Sequence, residues 1–237
     1  MSERFINEHG VVNREMLYKV SPRFKATDAI AKGQHFFHWN LVFADIFKQR
    51  GGFDLVLGNP PWIKVEWEEA GVLGDTEPLF AIRKYSATKL RGLREQAFEY
   101  YPHLDRVWRE EFAGSEAMQS YLNALGNYPE LKGIQTNLYK CFLPVAWRIN
   151  NKIGTSAFLY PEGVYDDPKG GNLRKAIYKR LRGHYQFQNE LALFPIGNRN
   201  KFGVNIFGAP LKKICFDSIS NLFTPKTIDQ CLSLIHI

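Results

Sequence analysis

Phe53-Asp54-Leu55-Val56-Leu57-Gly58 runs directly into Asn59-Pro60-Pro61-Trp62. The first six residues form a short, nearly continuous apolar run after a Gly51-Gly52 turn, which is the pattern of a buried parallel strand. The two prolines cannot extend a sheet ladder, because they carry no backbone N–H. A strand that ends at its carboxyl side in such residues predicts an open α/β sheet with a ligand site at that end.

The tetrapeptide has chemistry of its own. Two adjacent prolines fix the backbone and leave carbonyl oxygens free of ladder duty, so Asn59 Oδ1 and the Pro60 carbonyl can both accept from one amino group. Trp62 offers a flat face for stacking a base. The same string also reads as a tight turn with Trp62 plugging a core.

Working outward, Phe36 to Phe47 carries aromatic and β-branched positions, and Glu66 to Lys132 is amphipathic and helical, with Leu90, Leu93, Ala97 and Tyr101 at helical spacing. A further helix is predicted over Thr136 to Asn150, followed by an apolar strand from Ile153 to Tyr160 that Pro161 closes. The spacing predicts a basic helix over Gly170 to Arg182, with Leu173, Ile177 and Leu181 on its stripe, then a hairpin of His184 to Phe194 with Phe202 to Phe207. The strands Phe53–Gly58 and Ile153–Tyr160 are expected to be parallel and central, with the later pair at one edge.

Composition narrows the class. The 237 residues are 45% hydrophobic with a formal charge of +7, and no run of eighteen apolar residues or signal-like N-terminus occurs, so a soluble, cytoplasmic protein is expected and no membrane partner. The basic balance suits a polyanionic partner. Cys141, Cys215 and Cys231 are far apart, and His35 and His38 have no carboxylate at a ligand spacing, so no metal is expected.

With these residues in view, the sequence resembles the amino-methyltransferases of DNA, in which Asn-Pro-Pro-aromatic follows the fourth strand of an S-adenosylmethionine-dependent, Rossmann-like fold. Asp45, in Phe43-Ala44-Asp45-Ile46-Phe47, stands where that family places an acidic residue near the cofactor adenine. Thr136 to Leu143 and Ser156 to Pro161 look like the next blocks. Pro161 to Gly171 and Phe187-Gln188-Asn189-Glu190-Leu191 are similar to the large single-chain methyltransferases of restriction–modification and phage-defence systems. The resemblance spans Phe36 to Gly208 and favours adenine N6 over cytosine.

It implies S-adenosylmethionine as cofactor, held in part by Asp45, and double-stranded DNA as partner. It also implies base flipping, with Asn59, Pro60, Pro61 and Trp62 as the catalytic motif. Phe202 is the candidate aromatic for the other side of the base, with core packing as its alternative role. Lys169, Arg174, Lys175, Lys179, Arg180 and Arg182 form the densest basic cluster. They read either as phosphate contacts or as a solvated helix face.

The expected organisation is a partial methyltransferase core over 1–65, a helical insertion over 66–132, the remainder of the core over 133–208 and the start of a following region over 209–237. The Phe-x-Gly-x-Gly turn that such folds use to approach the cofactor is not in the sequence. The N-terminal cofactor-binding half of the same protein is therefore expected to be missing, leaving an unpaired strand edge and an isolated chain that is inactive, aggregates or binds cofactor poorly. Residues 232–237 read as a translated sequencing adapter. Nothing in the sequence sets an oligomeric state. Two other readings stand beside the main one: a methyltransferase for protein glutamine or RNA guanine, and an inactive nucleic-acid-binding remnant.

Overall fold

A computed structural model describes residues 5–6 and 9–234, with the side chains at 232 and 234 left aside; the last residues of the adapter-like stretch, 235–237, lie outside the described residues. Two units are distinguished, 1–49 and 50–237. The first holds the helices α1 (Arg14–Val20), α2 (Pro22–Gly33) and α3 (Trp39–Val42), and α4 (Ala44–Arg50) leads out of it. Asn13 caps α1 by accepting from the Met16 N–H at 3.1 Å, and Pro22 opens α2, where its missing N–H costs nothing. Of the aromatic positions in Phe36 to Phe47, Trp39 and Phe47 lie on helices, and Phe43, the residue that ends α3, stacks on Trp39 four positions earlier at 5.9 Å. None of α1 to α4 fully buries a side chain.

The second unit contains β1 (Phe53–Gly58), α5 (Glu69–Gly74), α6 (Leu79–Ile82), α7 (Ala87–Tyr100), α8 (Pro102–Asn123), α9 (Leu138–Ile149), β2 (Asn150–Pro161), α10 (Gly163–Asp166), α11 (Gly171–Arg180), β3 (Leu181–Gln188), β4 (Lys201–Phe207), β5 (Asp217–Leu222) and α12 (Lys226–Leu234). The chain is an α/β protein. Its sheet runs β1-β2-β4-β3-β5, with β1 parallel to β2, β4 antiparallel to both neighbours, and β5 parallel to β3.

The parallel pairing of β1 with β2 and the β3–β4 hairpin follow the sequence pattern, whereas the positions in the sheet do not. β4 occupies the centre, because the unforeseen β5 covers β3; its segment Asp217-Ser218-Ile219-Ser220-Asn221-Leu222 is too polar to announce a strand. β1 stands at the edge of the described sheet, and Leu55 and Leu57 are 56% and 67% exposed, so the strand is not buried as its composition suggests.

The main core lies where α9 and α11 cover the sheet. Leu143, Tyr160, Leu173, Ile177 and Phe207 are inaccessible there, and burial of an aliphatic or phenyl side chain of this size contributes about 1.5–3 kcal/mol. A separate cluster of Leu73, Phe80, Leu90, Ala97 and Leu104 holds the helical layer α5–α8 together. Arg94 braces that layer. It pairs with Glu69 at 2.5 Å and lies 4.8 Å over the Trp108 ring.

Candidate active site

The Asn59–Trp62 motif leaves the end of β1 and is pinned on both sides. Before it, Gly58 pairs with Phe158 of β2; after it, Ile63 O accepts from Leu138 N at 2.9 Å and Val65 N donates to Thr136 O at 3.4 Å, clamping the chain to the start of α9. The α9 cap, in which Asn137 Oδ1 accepts from Tyr139 N, fixes the same junction. Between the clamps the prolines hold φ, and Asn59 is exposed. Among the described residues neither the Asn59 amide nor the Pro60 carbonyl has a hydrogen-bond partner.

Trp62 is half-buried and anchored. Its Nε1–H donates to the Leu159 carbonyl at 3.3 Å, one residue beyond the last β1–β2 pair, so the indole takes up an acceptor that the shortened β1 leaves on β2. Its ring lies 5.8 Å from Phe194 and 6.3 Å from Phe202. Phe202, only 2% exposed, stacks almost parallel on Phe187 at 5.4 Å. Phe194 is the half-buried member of the group and sits at right angles to Phe202 at 4.9 Å.

Beside Trp62 opens a cavity of about 410 Å³ between two walls, one of Pro161, Glu162 and Asp166, the other of Arg199, Asn200 and Lys201. Glu162 N donates to Lys201 O at 3.2 Å and ties the walls at their base. The Glu162 carboxylate points into the sheet face, where it accepts from Gln186 Nε2 at 3.2 Å and meets His184 Nε2 at 3.0 and 3.1 Å. It fills the space above Gly203, where a Cβ would collide with Oε1. Next to it, Tyr165 Oη donates to Asn205 Oδ1 at 2.6 Å, and Lys140 pairs with Asp167 at 2.8 Å. Burial pushes the Tyr139, Tyr160 and Tyr165 phenols well up, keeping them neutral donors, while the hydrogen bond from Lys140 holds the Asp167 carboxyl below its usual range.

The residues singled out in the sequence are distributed unevenly. Trp62 lines the cavity; Asn59, Pro60 and Pro61 form the adjoining strand end; Phe202 is packed inside. Asp45 is an exposed carboxylate in the first turn of α4. In the basic cluster, Arg174 is spent on the carbonyls of Asp167 and Val164, and Arg182 on those of Arg180, Leu181 and Ala209. Arg180 lies 4.7 Å over the Trp147 ring. Lys169, Lys175 and Lys179 remain exposed. Glu162, His184, Phe194, Arg199 and Lys201 were not foreseen; only the loop position of Arg199 was visible, and Lys201 opens β4.

Among the described residues no group of three or more His, Cys, Asp or Glu side chains could hold a metal ion, and no helix is long and apolar enough to cross a membrane.

Solved structures with similar chain paths include a protein assigned to the class I S-adenosylmethionine-dependent methyltransferases from Listeria monocytogenes, with 19% identity, a TM-score of 0.31 and 42% of this chain covered. A DrdV–DNA complex matches at 14% identity and TM-score 0.41 over 83% of this chain. The ATP-dependent Type ISP restriction–modification enzyme LlaBIII bound to DNA matches at 10% and 0.40 over 78%. The chain spans 32%, 17% and 12% of their respective lengths. No curated protein sequence matches. The pattern of the Eco57I restriction-modification methylase family matches residues 3–96, the segment that carries Asn59-Pro60-Pro61-Trp62.

Proposed function

We propose that this chain carries the target-base half of a DNA methyltransferase that moves a methyl group from S-adenosylmethionine to adenine N6. The observation that carries the reading is the free Asn59 amide and Pro60 carbonyl, held between two clamps at the carboxyl end of β1 and followed by an anchored Trp62. An exocyclic amine that donates one hydrogen to each acceptor has its nitrogen lone pair directed out of the base plane, toward an electrophile. Trp62 stacks the base on one side. Phe194, its ring 5.8 Å away, packs directly on Trp62 and leaves no room for a base between them, and Phe202 is already stacked on Phe187, so Trp62 is the one stacking face assigned. Extrusion of the base costs a few kcal/mol, which such stacking offsets.

S-adenosylmethionine supplies the methyl electrophile when bound. The Asp45 carboxylate, exposed and without a hydrogen bond or ion pair among the described residues, fits a hydroxyl or amine donor of that cofactor, and no further residue of the chain is assigned to it. The motif's part is positioning: two acceptors and a stacking face set the amine in line, which is where most of the rate gain in such a transfer arises.

The test is expression from the genomic reading frame in a host without adenine methylation, followed by mass spectrometry of nucleosides from digested DNA. N6-methyladenine should accumulate and disappear in Asn59→Ala. Methylated cytosine, methylated RNA guanine or methylated protein glutamine in place of N6-methyladenine would reassign the substrate.

A further inference from the structure

The loop between β3 and β4 is a built element. Asn189, fully buried, donates through Nδ2 to the Phe194 and Ile196 carbonyls at 3.0 and 2.9 Å and accepts from Phe194 N at 3.1 Å. Its own N–H donates to Asn200 O at 3.2 Å, and Asn200 N closes a turn onto Gly197 O at 2.9 Å. This staple holds Arg199 and Lys201 on one wall of the Trp62 cavity. Both are exposed, and neither side chain has a hydrogen bond or ion pair among the described residues.

The facing wall carries two carboxylates of different kinds. Glu162 is buried and engaged by His184 and Gln186, whereas Asp166 is exposed. The cavity thus has an aromatic face in Trp62 and a cationic side in Arg199 and Lys201, next to the strand end that carries Asn59 and Pro60. A nucleotide offers a stacking base and a phosphate to match the first two. The volume of about 410 Å³ is of the size that holds such a ligand.

Building on the function proposed above, we infer that Arg199 and Lys201 hold the backbone phosphates flanking the extruded adenosine, in place of the α11 arginines, which are spent on carbonyls. They position the strand and read no sequence. Preorganisation by Asn189 means that little loop entropy is lost when the phosphates arrive.

The test uses the full chain and a fluorescein-labelled DNA duplex of about 30 base pairs with one mispaired adenine, whose extrusion is easiest. Binding is followed by anisotropy from about 50 to 200 mM salt. Each phosphate contact contributes about 0.9 to the slope of log affinity against log salt, so R199Q/K201Q should flatten the slope by about two and weaken binding about tenfold more at the low-salt end than at the high-salt end. K212Q/K213Q removes the same charge from exposed lysines outside the cavity and should change the slope by less than half as much. An unchanged slope in R199Q/K201Q, or equal flattening in both variants, overturns the inference. Wild-type chain that ignores the duplex but binds single-stranded RNA or a glutamine-bearing peptide removes the underlying function as well, a result distinct from either of those.

Discussion

At Trp62 a single residue serves two masters. Its indole N–H completes the end of β2 through the Leu159 carbonyl, while its ring walls the cavity. The two roles separate by substitution. Trp62→Phe keeps a stacking face and should lower unfolding free energy by about 1 kcal/mol in urea titrations, the worth of one hydrogen bond. Trp62→Ala should in addition weaken target-base binding by about 1–3 kcal/mol. Gly203 makes a second residue-scale case. Any Cβ there meets the Glu162 carboxylate, so Gly203→Ala should cost about 1–3 kcal/mol, and less when Glu162→Ala is already present, a coupling that a double-mutant cycle measures.

Elements here are positioned by a few buried polar staples. Asn189 organises the β3–β4 loop, and Asn189→Ala should cost about 2–4 kcal/mol, because three backbone groups lose their partner at once. It should also blunt duplex binding, if the loop presents the cations as inferred. The Lys140–Asp167 pair ties α9 to the turn before α11. Asp167 has its folded pKa held down by the hydrogen bond from Lys140, so the stability it contributes is present above its unfolded pKa of about 3.9 and is lost as pH falls through the folded value. Lys140→Met should therefore be destabilised relative to wild type by about 1–2 kcal/mol at neutral pH, with the gap narrowing only below about pH 4 in denaturation curves taken across pH.

For the molecule as a whole, burial is uneven. The helices of residues 1–49 bury no side chain fully, whereas α9, β2 and α11 share a core of inaccessible residues. Hydrogen exchange should show α1 and α2 amides exchanging orders of magnitude before those of α9 and β2, because local opening needs few contacts to break there. Equal protection across both units would contradict the burial pattern.

The sequence by itself determined the local rules: the apolar run Phe53–Gly58 stopped by Pro60-Pro61 is a strand, and Leu173 and Ile177 are the buried stripe of a helix, although that helix ends at Arg180 and the third expected stripe residue, Leu181, opens β3 instead. Those conclusions rest on near neighbours and on backbone chemistry that proline and periodicity dictate. Tertiary structure alone decided which charges are available. Arg174 and Arg182 look identical to Arg199 in the chain, yet the first two end on backbone carbonyls and the third faces the Trp62 cavity. Likewise Phe194 and Phe202 differ only in how the hairpin register buries them, and β4 takes the centre of the sheet only because a polar segment, Asp217 to Leu222, pairs with β3. Partners distant in sequence set those outcomes, and no local pattern encodes them.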